Sequence, residues 1–290
     1  MSAQIEQALF STSHDDVTRS SLAISRVKQV WSIGGGKGGV GKSLIASSLA
    51  ISLARSGQKV TAIDLDLGGA NLHTSLGIDL PKQTLSDFLN DRVTHLNDCK
   101  TQSEIPNLTM ISGAQDSIAI ANLSTKEKNK LAESIRSLDA DFVILDLGAG
   151  TNNNTVDFFV QSDVGIVTVI PEPTSIENAY RFIKCAFFRK LYQSPKLKEV
   201  RGLIESAMDS KNQKGIRTPS DLYREINLIS PECALAMKQE IDQMNPKLIL
   251  NQARTQTDID IGFSIKSISK KYFGLEMDYI GYLDYDSAAW

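Results

Sequence analysis

The sequence predicts an α/β fold: a mostly parallel, twisted sheet of about seven or eight strands, flanked by helices and carrying a helical insertion. Three observations lead there. Near-continuous apolar runs such as Phe142-Val-Ile-Leu and Val164 to Ile170 recur along the chain, as in parallel strands buried on both faces. The first such run is followed by a glycine loop, a helix-periodic stretch and a second run, an order that makes a βαβ unit and hence a parallel pair. The 290 residues are 41% hydrophobic, enough to bury a sizeable core.

The elements follow in order. Residues 1 to 26 are polar, rich in Ser, Asp and Gln, and read as an arm preceding a single domain from 27 to 290. Lys28 to Ile33 is the first strand. Leu44 or Ile45, Leu49 and Leu53 fall on one face of a helix that Gly57 stops. Val60 to Asp64 is the second strand and Asn107 to Ile111 another. Ser124-Thr-Lys-Glu127 is a capping box opening a helix with Leu131, Ile135 and Leu138 on its apolar face. Strands at 142–146 and 164–170 come next. Residues 192 to 245 are polar and helix-like, the insertion, and Lys247 to Asn251 and Tyr279 to Leu283 supply two last strands.

Composition excludes several classes. With 31 basic and 34 acidic residues, the surface as a whole is not built for nucleic acid. Cys99, Cys185 and Cys233 are far apart, so no CxxC metal or iron–sulfur motif is present. The N-terminus lacks the basic and apolar regions of a signal peptide, which with the few cysteines points to the cytoplasm. No apolar run reaches the roughly 18 residues of a membrane span.

The chemistry begins at Gly36-Lys-Gly-Gly-Val-Gly41-Lys42-Ser43, a complete G-x-x-x-x-G-K-[ST] loop between a strand and a helix. In such a loop Gly36, Gly38, Gly39, Val40 and Gly41 offer backbone N–H groups to the phosphates, and the helix N-terminus adds its positive dipole end. Lys42 reaches the β- and γ-phosphates, and the Ser43 hydroxyl ligates Mg²⁺. The fold is therefore expected to be that of P-loop NTPases. Asp64 and Asp66, at i and i+2, fall on one side of the second strand's carboxyl end, where α/β sheets bind ligands; an Asx turn is the alternative role for Asp64. Asp146 ends an apolar strand, the arrangement that delivers a carboxylate to Mg²⁺ through water.

Together these stretches resemble the MinD/ParA family, whose deviant Walker A has the form KGGVGKS, and DLDLGGANL, DLGAGTNNNTVDFF and PEPTSIENAYRFIKCAFFRKL resemble its MinD/FlhG-like branch. The resemblance covers most of residues 28 to 286. It implies a slow Mg-ATP hydrolase acting as an ATP-dependent homodimer switch in spatial positioning, with an unidentified activating partner. Catalysis would fall to Lys37, Lys42 and Asp66. Lys37 would reach across the dimer to the partner's nucleotide, Asp66 would orient the attacking water, and Asp64 would support the metal beside Ser43 and Asp146. Gly148, in a switch II segment, would sense the γ-phosphate. Asn251 would read the adenine edge, a turn asparagine being its plainer role, and ATP is expected over GTP because Asn251-Gln-Ala-Arg254 lacks the N-K-x-D guanine pattern.

The sequence departs from the family in places. Leu44, among the nucleotide-contacting positions, brings no hydroxyl to the α-phosphate. Asp284 replaces the usual proline of the last nucleotide loop, which ends at Asp286. After Asp286 only Ser-Ala-Ala-Trp290 remains, so membrane anchoring is not evident in this chain. Recruitment to a pole or the inner membrane face is expected through partners or a helix missing from it. A DNA-segregation ATPase of ParA type is the alternative; its basic patch would draw on Lys184, Arg189, Lys190, Lys196 and Lys198. An iron–sulfur carrier lacks its cysteine pair, and a tyrosine kinase reading of Tyr279, Tyr282 and Tyr285 yields to core packing across a strand.

Overall fold

The computed structural model describes residues 27–66, 69–79, 81–113, 123–208, 215–216 and 218–287; the N-terminal arm and the final residues lie outside this set. The elements are β1 (Gln29–Gly34), α1 (Lys42–Arg55), β2 (Val60–Leu65), α2 (Leu72–Ser75), α3 (Leu85–Leu89), β3 (Thr101–Gln102), β4 (Leu108–Ile111), α4 (Thr125–Ser137), β5 (Phe142–Leu147), α5 (Asn153–Gln161), β6 (Val164–Val169), α6 (Pro173–Gln193), α7 (Arg201–Met208), α8 (Pro219–Ile229), α9 (Pro231–Asp242), β7 (Lys247–Ala253), α10 (Gln256–Phe273) and β8 (Asp278–Asp284).

The strands form one eight-stranded sheet in the order β3-β4-β2-β5-β1-β6-β7-β8. Every pairing is parallel except β3 with β4. β1 is central, with β2 and β5 on one side and β6 and β7 on the other, so the loop leaving it opens where the chain's direction of travel across the sheet reverses. Ligands of open α/β sheets bind at such a point.

Alternation along each strand divides the core in two. Trp31, Ile33, Ala62, Ile144, Ile166 and Ile249 face α1. Ile63, Leu65, Val143, Leu145, Val167 and Leu250 face α3 to α6 on the opposite side. Trp31 is 5% exposed, its ring edge-on to Phe142 at 5.3 Å between centroids. The helices between residues 192 and 245 share the second core: Leu197, Ile204, Leu222, Ile226 and Met237 are all buried in it. The insertion is thus a lobe of the same domain, built into the β6–β7 crossover.

Three local differences from the sequence expectations have physical causes. Asn107 is not in the fourth strand: at φ +65° it makes the turn before Leu108. Leu44 does not belong to the apolar face of α1, which Ile45, Leu49 and Leu53 bury; it stands 36% exposed at the helix start. Of the three tyrosines, Tyr279 packs over Gly262, but Tyr285 lies outside the core with the Arg254 guanidinium 3.9 Å from its ring centre. Among the described residues no helix is long and apolar enough to cross a membrane.

Candidate nucleotide site

The carboxyl ends of β1, β2, β5 and β7 converge on the glycine loop. Gly39 and Gly41 hold the left-handed conformation at φ +76° and +90°, which turns the loop tightly into α1. Two loop glycines are also required by neighbours: a Cβ on Gly36 would lie 2.0 Å from the Asn178 carbonyl oxygen, and one on Gly41 would lie 2.2 Å from Asn251 Nδ2. Lys42, only 8% exposed, points inward. Burial lowers its pKa while the nearby carboxylates of Asp146 and Asp66 pull it back up.

Asp64 and Asp146 are register partners on adjacent strands and face the same side. Asp146 is 2% exposed, accepts a hydrogen bond from Ser43, and leaves Oδ1 buried with no protein partner. Burial pushes its carboxyl up to about 7, with the neighbouring Asp64 charge adding to the rise. A buried, orphaned carboxylate oxygen beside a serine hydroxyl fits a hydrated divalent cation, whose charge would replace the missing solvation. Asp64 is differently engaged: Oδ1 accepts the Asp66 N–H at 3.0 Å and Oδ2 the Leu72 N–H at 2.9 Å. Both oxygens accept loop backbone N–H groups, the Asp66 contact being that of an Asx turn. Its carboxyl is raised to about 6 by burial.

Asp66 lies at the loop mouth, against Gly148, where an added Cβ would sit 3.2 Å from Asp66 Oδ1. The Gly150 N–H donates to the Gly35 carbonyl at 3.2 Å, so the segment after Asp146 is tied to the phosphate loop by backbone. Asn152 then caps α5, accepting the Thr155 N–H at 2.9 Å. α5 is held by its own Asp157, a buried carboxylate bound by Lys128 Nζ at 2.6 Å, Gln193 Nε2 at 2.6 Å, and the Arg189 guanidinium.

Lys37 does not point into its own cradle. Its ammonium lies 2.7 Å from Glu172 Oε2 and 3.3 Å from Thr174 Oγ1, at the start of α6. Neither partner was evident from the sequence, where the Pro171-Glu-Pro-Thr174 segment between β6 and α6 is the available signal. Asn251 is 3% exposed at the end of β7, with Nδ2 on the Val40 carbonyl at 2.9 Å. Asp286, beyond β8, is exposed near the Tyr285–Arg254 stack. Two of the five cations named for a DNA surface are paired with acidic groups: Arg189 is bound to Asp157 and Lys190 lies 3.8 Å from Glu240.

A family model described as an AAA domain matches residues 28–198, over half of the chain. The septum site-determining protein MinD of Helicobacter pylori is 31% identical over 206 residues, 70% of this chain and 68% of that protein. The chain belongs to the MinD/ParA family of P-loop ATPases. Another relative of this family member, the antiactivator FleN of Pseudomonas aeruginosa, is 33% identical over 162 residues, 54% of this chain and 55% of that protein. The match thus spans about half of FleN's length. The fold of the MinD/ParA family is also seen in a solved structure of MinD with Mg-ADP from Pyrococcus horikoshii, which superposes with a TM-score of 0.58 over 89% of this chain and 82% of that one, at 21% identity.

Proposed function

We propose that the chain binds Mg-ATP on its glycine loop, hydrolyses it slowly, and uses the cycle as a homodimer switch in a spatial-positioning process, the kind of task the septum site-determining relative is named for. The observation that carries this reading is the opposite orientation of two lysines in one loop. Lys42 is buried and faces Asp146 and Asp66, which suits it to the bound phosphates. Lys37 lies outward on Glu172 and Thr174, surplus to the in-cis cradle. An outward cation on a phosphate loop is placed to serve a second copy's nucleotide, as an arginine finger does, for a gain of about 10³–10⁵ in rate.

The roles follow from position. The loop amides and Lys42 neutralise the phosphates. Ser43 and Asp146 would hold Mg²⁺, which would supply neutralisation of the phosphate charge. Asp66, at the mouth and against Gly148, is the group to orient water. Gly148 to Gly150, linked to Gly35, would relax when the γ-phosphate leaves and let the dimer open. An activating protein partner is part of this proposal, and its identity is open to capture with the ATP-locked chain.

The test is light scattering with Mg-ATP at tens of micromolar, about the scale of a weak dimer. Asp66→Ala should bind ATP, turn it over poorly and accumulate as dimer, whereas Lys37→Ala should bind ATP and stay monomeric. A dimer that forms normally without the Lys37 ammonium would sink the switch mechanism.

A further inference from the structure

We propose that the groove where α8, α9 and the end of α10 meet is a docking site for an acidic protein segment bearing one apolar anchor residue. The proposal is independent of the nucleotide reading, because the groove lies at the other end of the sheet. α9 stops just before β7 begins, and α10 just before β8 begins. Their last turns therefore sit at the amino ends of the strands, whereas the phosphate loop opens at the carboxyl ends.

The groove has an apolar floor and half-wet aromatic walls. Met237 and Phe273 are buried beneath a cavity of about 540 Å³, with the partly buried Ile241 beside them. Tyr223 of α8 and Tyr272 of α10 line the same cavity and stay 41% and 48% exposed. A ring left in water beside buried apolar side chains is stabilised when a partner covers it, while its hydroxyl remains wet at the rim.

Charge selects the partner. Lys238, Lys270 and Lys271 stand around the cavity against one acid, Asp242. Lys270 reaches Glu276 at 2.6 Å, but both side chains are well exposed, and such a pair is weak in water. Among the described residues Lys238 and Lys271 pair with no carboxylate. The chain as a whole carries a net charge of −3, so this rim is a positive region on a slightly negative molecule. A local field of that sign draws in an acidic chain and sets its register.

The layout suits a protein segment better than the other occupants. Among the described residues, no buried polar atom without a partner belongs to the groove, so no fixed polar group is poised to orient a small ligand. The charges ride instead on long lysine stems above the apolar floor. That is the plan of an apolar contact centre with a polar rim, in which one buried anchor carries most of the affinity. A nucleic-acid duplex would satisfy the lysines through its phosphates and leave the floor unfilled.

Fluorescence anisotropy on the full chain at low salt tests the site. The probes are short labelled peptides with one Leu, Phe or Trp flanked on both sides by Asp and Glu. Controls carry Ser at the anchor or Lys at the flanks, and labelled single-stranded and duplex oligonucleotides are run beside them. At least one acidic peptide should bind, and each of its controls should bind about tenfold more weakly or worse. Tyr223→Ala should weaken the bound peptide by about tenfold or more. The charge-reversed Lys238→Glu, Lys271→Glu protein should do the same, and both variants, altered only at exposed side chains, should melt where the parent does. The proposal fails if no peptide of the set binds, or if the Lys-reversed protein binds the peptide as the parent does. It fails equally if an oligonucleotide binds more tightly than every peptide and displaces them.

Discussion

Asp146 concentrates the conflict between stability and function in one side chain. Its carboxylate is buried beside that of Asp64, with one oxygen unpartnered. Burial raises its folded pKa to about 7, above the value of an unfolded aspartate. The sign follows: a raised group lends stability in its protonated form, fully at low pH, and that contribution is lost as the pH climbs through about 7. Asp146→Asn should therefore melt a few degrees higher than the parent at pH 8 in EDTA without nucleotide, and its advantage should shrink toward pH 5. The same variant should lose Mg²⁺-dependent ATP binding. Thermal scans across pH check the first outcome; a parent that melts higher than the variant at pH 8 would contradict the burial argument. At this scale the glycine loop, Lys42 and Ser43 were legible in the sequence because spacing within one strand–loop–helix unit fixes them, and Asp146 because it ends a continuous apolar strand. The partners of Lys37 and Asn251 were not: Glu172 lies 135 positions from Lys37 and Val40 lies 211 from Asn251. Such contacts depend on which strands become neighbours, and local periodicity does not encode that.

Among the elements, α5 is the piece that joins the site to the rest of the fold. It starts one turn after the segment tied to the phosphate loop, capped by Asn152, and its buried Asp157 is shared by Lys128 of α4 and Arg189 and Gln193 of α6. Removing the carboxylate leaves the buried Lys128 ammonium without its partner, beside the part-exposed Arg189 guanidinium. Asp157→Ala should cost about 3–5 kcal/mol, measured as a lower denaturant midpoint. A loss below about 1 kcal/mol, the scale of an exposed ion pair, would mean water reaches the cluster. Elements with strong local signals were the readable ones. The Ser124–Glu127 capping box forms as the sequence indicates, and the long apolar strands fall where their runs lie. β3 escaped because two residues, Thr101 and Gln102, carry no period and owe their pairing to β4 alone.

Across the whole molecule the sheet is covered on both faces, and the sequence conveyed this through its continuous apolar strands. It could not convey the strand order, which is what brings β7 under the phosphate loop. A site assembled from four strand ends couples ligand binding to global stability. Mg-ATP at about 100 times its Kd should add about 2.7 kcal/mol, and for a chain of this size raise the melting temperature by about 4–5 °C. EDTA should abolish most of the shift; a full shift without divalent cation would remove Ser43 and Asp146 from the binding account.

Trp31, buried on the central strand and edge-on to Phe142, gives the chain a built-in optical probe. The protein has two tryptophans, so a Trp290→Phe variant would emit from Trp31 alone. An indole held in an apolar wall fluoresces toward the blue and shifts to the red on exposure to water. Because Trp31 stands three residues before the end of β1, stopped-flow fluorescence of that variant would time the moment at which the strand carrying the phosphate loop is sealed into the sheet.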